Sequence, residues 1–146
     1  MEYLNYGCRR TLEKDLPFWK IIYSDPDTLK NMNSSPLIEN YSDFWLYINS
    51  VERYVIYETL KDKDDNLIGG FSLYDRKNKE SSFGIVIHPL YRGHGLGNVL
   101  IDFLCDTARG CGIKTLKADV YSDNKASLSL LERNGFRAMT LLEKHL

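Results

Sequence analysis

The stretch HPLYRGHGLGNVL, running from His88 to Leu100, decides how this chain is read. Glycines at 93, 95 and 97 alternate with other residues, directly after an apolar run and directly before an amphipathic one. A strand end, a bare loop and a helix start in that order leave consecutive N–H groups free, which makes an anion site without a cationic side chain. One glycine suffices for a tight turn; three in alternation let an anion approach the backbone and permit positive φ where the loop turns. Two other phosphate loops fail on spacing. A Walker loop ends in Gly-Lys-Ser/Thr, where this chain has Gly97-Asn98-Val99. The dinucleotide fingerprint places a third glycine three residues after the second, and that position is Asn98.

Working outward, Gly7–Leu12 reads as a short, polar edge strand. Leu12, Leu16, Trp19 and Ile22 fall at helical spacing, with Pro17 in the first turn. Asp25-Pro26 ends that helix, and Asp27 is expected to cap a short second one reaching about Met32. Ser42 begins a capped helical turn carrying Phe44, Trp45 and Ile48. The period then changes to alternation: residues 51–60, 67–76 and 81–89 read as three strands joined by polar turns. Gly97 to about Arg109 is a helix with Leu96, Leu100, Phe103, Leu104 and Ala108 on one face, stopped by Gly110 and Gly112. Residues 113–121 are a further strand, 124–134 a further helix, and Gly135-Phe136 opens a last strand to about Leu142. Antiparallel hairpins followed by strand–helix–strand–helix–strand give an α/β chain with a mixed sheet and helices on its faces.

At 146 residues the chain is expected to be one domain spanning 1–146. The formal net charge of −1 argues against a nucleic-acid groove, and no apolar run is long enough to span a membrane. The opening MEYLNYGCRR has no apolar core of a signal peptide, so the expected location is cytoplasmic. Cys8, Cys105 and Cys111 stand at no metal-ligand spacing, so no metal site is expected and reduced thiols are.

PLYRGHGLGNVLIDFL resembles the acetyl-CoA loop of the GNAT acetyltransferases, Arg/Gln-x-x-Gly-x-Gly/Ala, through Arg92, Gly95 and Gly97. NKASLSLLERNGF, with Asn124, Ser127, Glu132 and Gly135-Phe136, resembles the family's second block, and RRTLEKDLPFWKIIYSDPDTLKNM resembles the opening of the RimJ/RimL-like branch. The resemblance covers nearly the whole chain. It implies a central, mostly antiparallel sheet with a parallel, splayed pair in its middle. It also implies transfer of an acetyl group from acetyl-CoA to a primary amine, with coenzyme A as the leaving product. By the same resemblance the backbone of Val86, Ile87 and His88 pairs with pantetheine. The loop of Arg92, Gly93, His94, Gly95, Leu96, Gly97 and Asn98 holds the diphosphate, and Asn124 bonds the pantetheine or serves only as a helix cap.

Many family members carry a tyrosine acid where this chain has Leu131. The resemblance then points to Ser127 beside the thiol sulfur, with Tyr121 in reserve. Glu80 shares strand parity with Ser82, Gly84 and Val86 and is the candidate base, although its place in a charged turn favours a solvated side chain. His88 is the other titratable candidate. The Tyr- and Trp-rich segment 41–57 either lines the acceptor side or packs as a hydrophobic face. Ten residues follow Phe136, fewer than the family's closing hairpin, so the last strand is expected to be missing, or supplied by a neighbouring chain, or the acceptor pocket to be unusually open, and a homodimer is allowed. A small-molecule or peptide amine is the expected partner. A protein that holds acyl-CoA as a sensor without catalysis is the alternative.

Overall fold

The structure is a computed structural model and describes residues 5–31, 40–50 and 55–146. Five strands, β1 (Tyr6–Arg10), β2 (Ile56–Asp62), β3 (Leu67–Lys77), β4 (Glu80–Ile87) and β5 (Thr115–Lys117), form one sheet in sequence order. The first four are antiparallel neighbours, and β4 pairs with β5 in parallel. The helices are α1 (Leu16–Ile22), α2 (Pro26–Lys30), α3 (Tyr41–Ile48), α4 (Leu96–Gly110) and α5 (Lys125–Arg133).

Alternation along β2 assigns the two faces. Ile56 and Leu60 join Phe71, Leu73 and Phe83 under the apolar stripe of α4, with Leu131 of α5 completing that core. Tyr57 points the other way, into Trp19, Ile22, Phe44 and Ile48 of α1 and α3. Gly70 makes that second contact close: a Cβ there would lie 2.6 Å from the Trp19 ring. Where the chain enters α1, buried Asp15 accepts from the Leu12 amide at 2.8 Å and from Arg9 Nη2 at 3.0 Å. Burial alone would raise the Asp15 carboxyl, but Arg9 and the Leu12 amide outweigh it and hold it below its ordinary value.

Four expectations change. Asp25, not Asp27, caps α2: its carboxylate accepts from Thr28 N at 3.0 Å, because Pro26 takes the first helical position and holds the preceding residue extended. Met32 and residues 51–54 lie outside the described residues. The strand expected over 113–121 pairs only at Thr115–Lys117. No strand forms from Gly135 to Leu142; Met139, Leu141 and Leu142 are all exposed. Since β5 offers three paired residues before the chain turns away, nothing extends the ladder towards that segment. The mixed sheet, the parallel pair and the helices on both faces are as expected, with the pair at one end of the sheet rather than in its middle.

Candidate functional site

The geometry begins where β4 and β5 part. They pair only from Glu80–Thr115 to Ser82–Lys117, whereas β4 continues against β3 as far as Gly69–Ile87. From Phe83 onward the other edge of β4 therefore has no strand partner among the described residues. A cavity of about 460 Å³ opens at that divergence. Phe83, Gly84, Ile85 and Val86 line one side, Ala118, Asp119 and Val120 the other, and Asn124, Ser127 and Leu131 of the α5 region close one end.

Beyond β4 the chain makes one 3-10 turn at Pro89–Tyr91 and passes through Gly93 (φ 79°) and Gly95 (φ 75°) into α4. Both glycines occupy the left-handed region, which costs an ordinary L residue about 1–2 kcal/mol. Gly95 is the N-cap and offers no side chain, so the first amides of α4 are uncapped. Neither they nor the amides of Gly93, His94 and Gly95 donate to a backbone group among the described residues. That is a concave row of free N–H groups at the positive end of a fifteen-residue helix, suited to a diphosphate. Gly97 serves another purpose. A Cβ there would lie 2.7 Å from Leu130 Cδ2, so its bareness admits α5 against α4.

Arg92 contributes its backbone to this loop, while its guanidinium turns away. Nη2 donates to Asp25 Oδ2 and to Thr28 Oγ1, each at 2.9 Å, and Nε donates to the Ile87 carbonyl at 3.1 Å. The side chain is a strut between the loop and the start of α2. Burial would raise the Asp25 carboxyl, but the Thr28 amide, Arg92 and the Thr28 hydroxyl together pull it below its usual range.

The cavity's remaining wall is aromatic and comes from the α1/α3 face: Trp19, Tyr23, Tyr47 and Tyr57, with Tyr74 of β3. Tyr23 donates to the Tyr57 hydroxyl at 3.3 Å, and Trp19 Nε1 donates to Thr59 Oγ1 at 3.2 Å. Burial pushes both phenols well up, so neither ionises near neutrality.

Of the residues singled out from sequence, Val86, Asn124 and Ser127 line the cavity. Asn124 is the α5 N-cap and accepts from the Ser127 amide at 3.3 Å. Ile87 packs into the α4-side core. His88 donates its amide to the Ile68 carbonyl, accepts at Nδ1 from Leu90 N and stacks on Phe18. Its imidazole is thus engaged in holding the turn. His94 is exposed beside the glycine loop, and Asn98 bonds Asn134 of the α5 end. Glu80 and Tyr121 stand outside the lining: Glu80 is paired with Lys117 Nζ at 2.8 Å, and Tyr121 is exposed. Within the segment 41–57, Tyr47 and Tyr57 line the cavity, while Phe44 and Ile48 are core. Sequence reasoning missed Trp19, Tyr23, Tyr74, Asp75 and Asp119. The first two lay on a helix read only for its core spacing, and no local motif marks the others.

Among the described residues no cluster of His, Cys, Asp and Glu is arranged to hold a metal, and no helix is long and apolar enough to cross a membrane.

Known proteins resemble this chain in sequence and in fold. The chain is 31% identical over 129 residues to an L-methionine sulfoximine/L-methionine sulfone acetyltransferase of Pseudomonas paraeruginosa, covering 84% of this chain and 74% of that protein. It is 30% identical over 86 residues to the L-amino acid N-acyltransferase MnaT of Escherichia coli, covering 55% of this chain and 50% of the relative. This chain thus spans about half the length of that enzyme. In three dimensions it matches the spermidine N-acetyltransferase of Vibrio cholerae, solved in complex with CoA and spermine, at a TM-score of 0.85 and 19% identity, covering 98% of this chain and 88% of the other. That likeness shows the shared fold. The profile described as the acetyltransferase (GNAT) family matches residues 18–136, more than half of the sequence, and the chain belongs to that family.

Proposed function

We propose that this chain transfers an acetyl group from acetyl-CoA to a primary amine by direct attack on the thioester. One observation carries the reading: the edge of β4 that has no strand partner among the described residues lines one cavity with Ser127, and β4 leads through the glycine loop into the uncapped start of α4. Acetyl-CoA supplies the activated acyl group. The amides from Gly93 to Asn98 hold its diphosphate, the backbone of Val86, Ile87 and His88 runs beside its pantetheine, and Asn124 lies alongside. The neutral amine nitrogen bonds to the acyl carbon, the carbon–sulfur bond breaks, and the thiolate takes a proton from the Ser127 hydroxyl. The nitrogen's surplus proton leaves to solvent at the open rim, and Ser127 is reprotonated from there.

Thiol release from acetyl-CoA across N-terminal peptides, diamines, amino sugars and aminoglycosides tests this, blanked against the protein's own three cysteines. Amine-dependent release is expected, and Ser127→Ala should lower kcat about tenfold, on the order of 1.4 kcal/mol, with CoA affinity retained. Tight CoA binding without release for any amine would favour the sensor reading instead.

A further inference from the structure

The cavity also carries a charge pattern that bears on which amine enters it. Asp75, from β3, and Asp119, from the segment after β5, lie on the lining with exposed side chains. Neither forms an ion pair with any described residue, whereas nearby Glu80 is neutralised by Lys117. No Lys, Arg or His is among the described lining residues. Asp75 also holds a left-handed backbone (φ 48°) where the β3–β4 register shifts between Tyr74 and Lys77. Aspartate tolerates that region better than most residues, and such outliers cluster at ligand sites. The two carboxylates act on one phenol: burial raises the Tyr74 hydroxyl, and Asp75 and Asp119 then raise it further. Deeper in, the rings of Trp19, Tyr23, Tyr47 and Tyr57 form a wall whose faces attract cations.

We propose that the acceptor is a short diamine, a primary amine with a second positive charge and no carboxylate. Its far ammonium sits between Asp75 and Asp119, and its reacting nitrogen lies against the aromatic wall beside the free edge of β4. An acceptor ending in a carboxylate would instead meet two negative charges with no cation among the described lining residues to answer them, a juxtaposition that selects strongly against it. This assignment rests on the acetyl-transfer reading.

Three acceptors of one chain length separate the possibilities: 1,5-diaminopentane, pentylamine and 5-aminopentanoate, which differ only in the far group. With thiol release as the readout, kcat/KM for the diamine should exceed that for pentylamine by about tenfold and that for 5-aminopentanoate by about a hundredfold. In Asp75→Asn/Asp119→Asn the diamine's advantage over pentylamine should collapse towards one, chiefly through KM. A preference for 5-aminopentanoate, or a diamine advantage that survives the double substitution, overturns the diamine assignment and leaves acetyl transfer standing. Absence of release with all three and across the wider amine panel removes the enzyme reading, and the diamine assignment falls with it.

Discussion

The two faces of the sheet are built on different principles. Under α4 the core is aliphatic, with Ile56, Leu60, Ile68, Leu73, Leu100, Ile101 and Leu104 packed by shape and area. Under α1 and α3 it is aromatic, and its polar atoms answer one another: Trp19 Nε1 with Thr59, Thr59 with Thr11 at 2.8 Å, Tyr23 with Tyr57. The aliphatic face packs α4 against the sheet beside the glycine loop. The aromatic face doubles as the wall of the cavity, so its hydrogen bonds both stabilise the fold and shape that wall. Where a core must also face a ligand, directional bonds fix ring positions that packing of flexible aliphatic chains would leave looser.

Breaking the aromatic network should have the largest effect. Thr59 is fully buried and serves both the Trp19 indole and the Thr11 hydroxyl. Thr59→Val keeps the volume but strands both polar groups, which should cost about 3 kcal/mol of unfolding free energy by urea titration. Trp19 emission should shift at the same time. A loss below about 0.5 kcal/mol would mean that this face, like the other, is held by packing alone.

The glycine loop allows a finer division, because its two functions fall two residues apart. Gly97→Val presses on Leu130 and should lower stability by about 1.5 kcal/mol. Gly95→Val meets no neighbouring atom, but it demands a left-handed valine in the proposed diphosphate cradle. It should weaken CoA binding by more than about tenfold in a calorimetric titration. Indistinguishable CoA affinities for the two variants would dissolve the distinction between cradle and packing glycine.

This split also shows what the sequence could and could not reveal. The loop and α4 were legible because the feature is contiguous: strand end, glycines and helix start occupy thirteen consecutive residues, 88–100. The Asn124 cap was legible for the same reason. Gly97 stood in the motif by spacing, but its contact with Leu130 depends on a helix more than thirty residues away. The rim pair Asp75 and Asp119 converges from two segments 44 positions apart, each in an ordinary-looking strand stretch. Both Asp25 and Asp27 have the residue type of a cap, and it is Pro26 at the first helical position that gives the role to Asp25. The strand expected after Phe136 had suitable residues, yet it does not pair with the open outer edge of the three-residue β5, and no local pattern reports that.

The smallest effect lies on the aliphatic face, at its one discordant residue. Glu58 sits between Ile56 and Leu60 in β2, buried, with Oε1 3.4 Å from Thr107 Oγ1 and Oε2 bonded to nothing among the described residues. Arg10 approaches only to 3.9 Å from a largely exposed position. Burial raises the Glu58 carboxyl, with Arg10 and Thr107 pulling weakly the other way. A carboxyl raised in the folded state binds its proton more tightly there than in the unfolded chain. The charge therefore costs stability once the pH exceeds the folded value, and the cost disappears below the unfolded value of about 4.3. Glu58→Gln should consequently stabilise the protein by about 1 kcal/mol at pH 8, and the gain should fade as urea titrations are carried down to pH 4. A loss of stability at pH 8 would show that the Arg10 and Thr107 contacts outweigh the burial, and that this face, too, relies on an answered polar group.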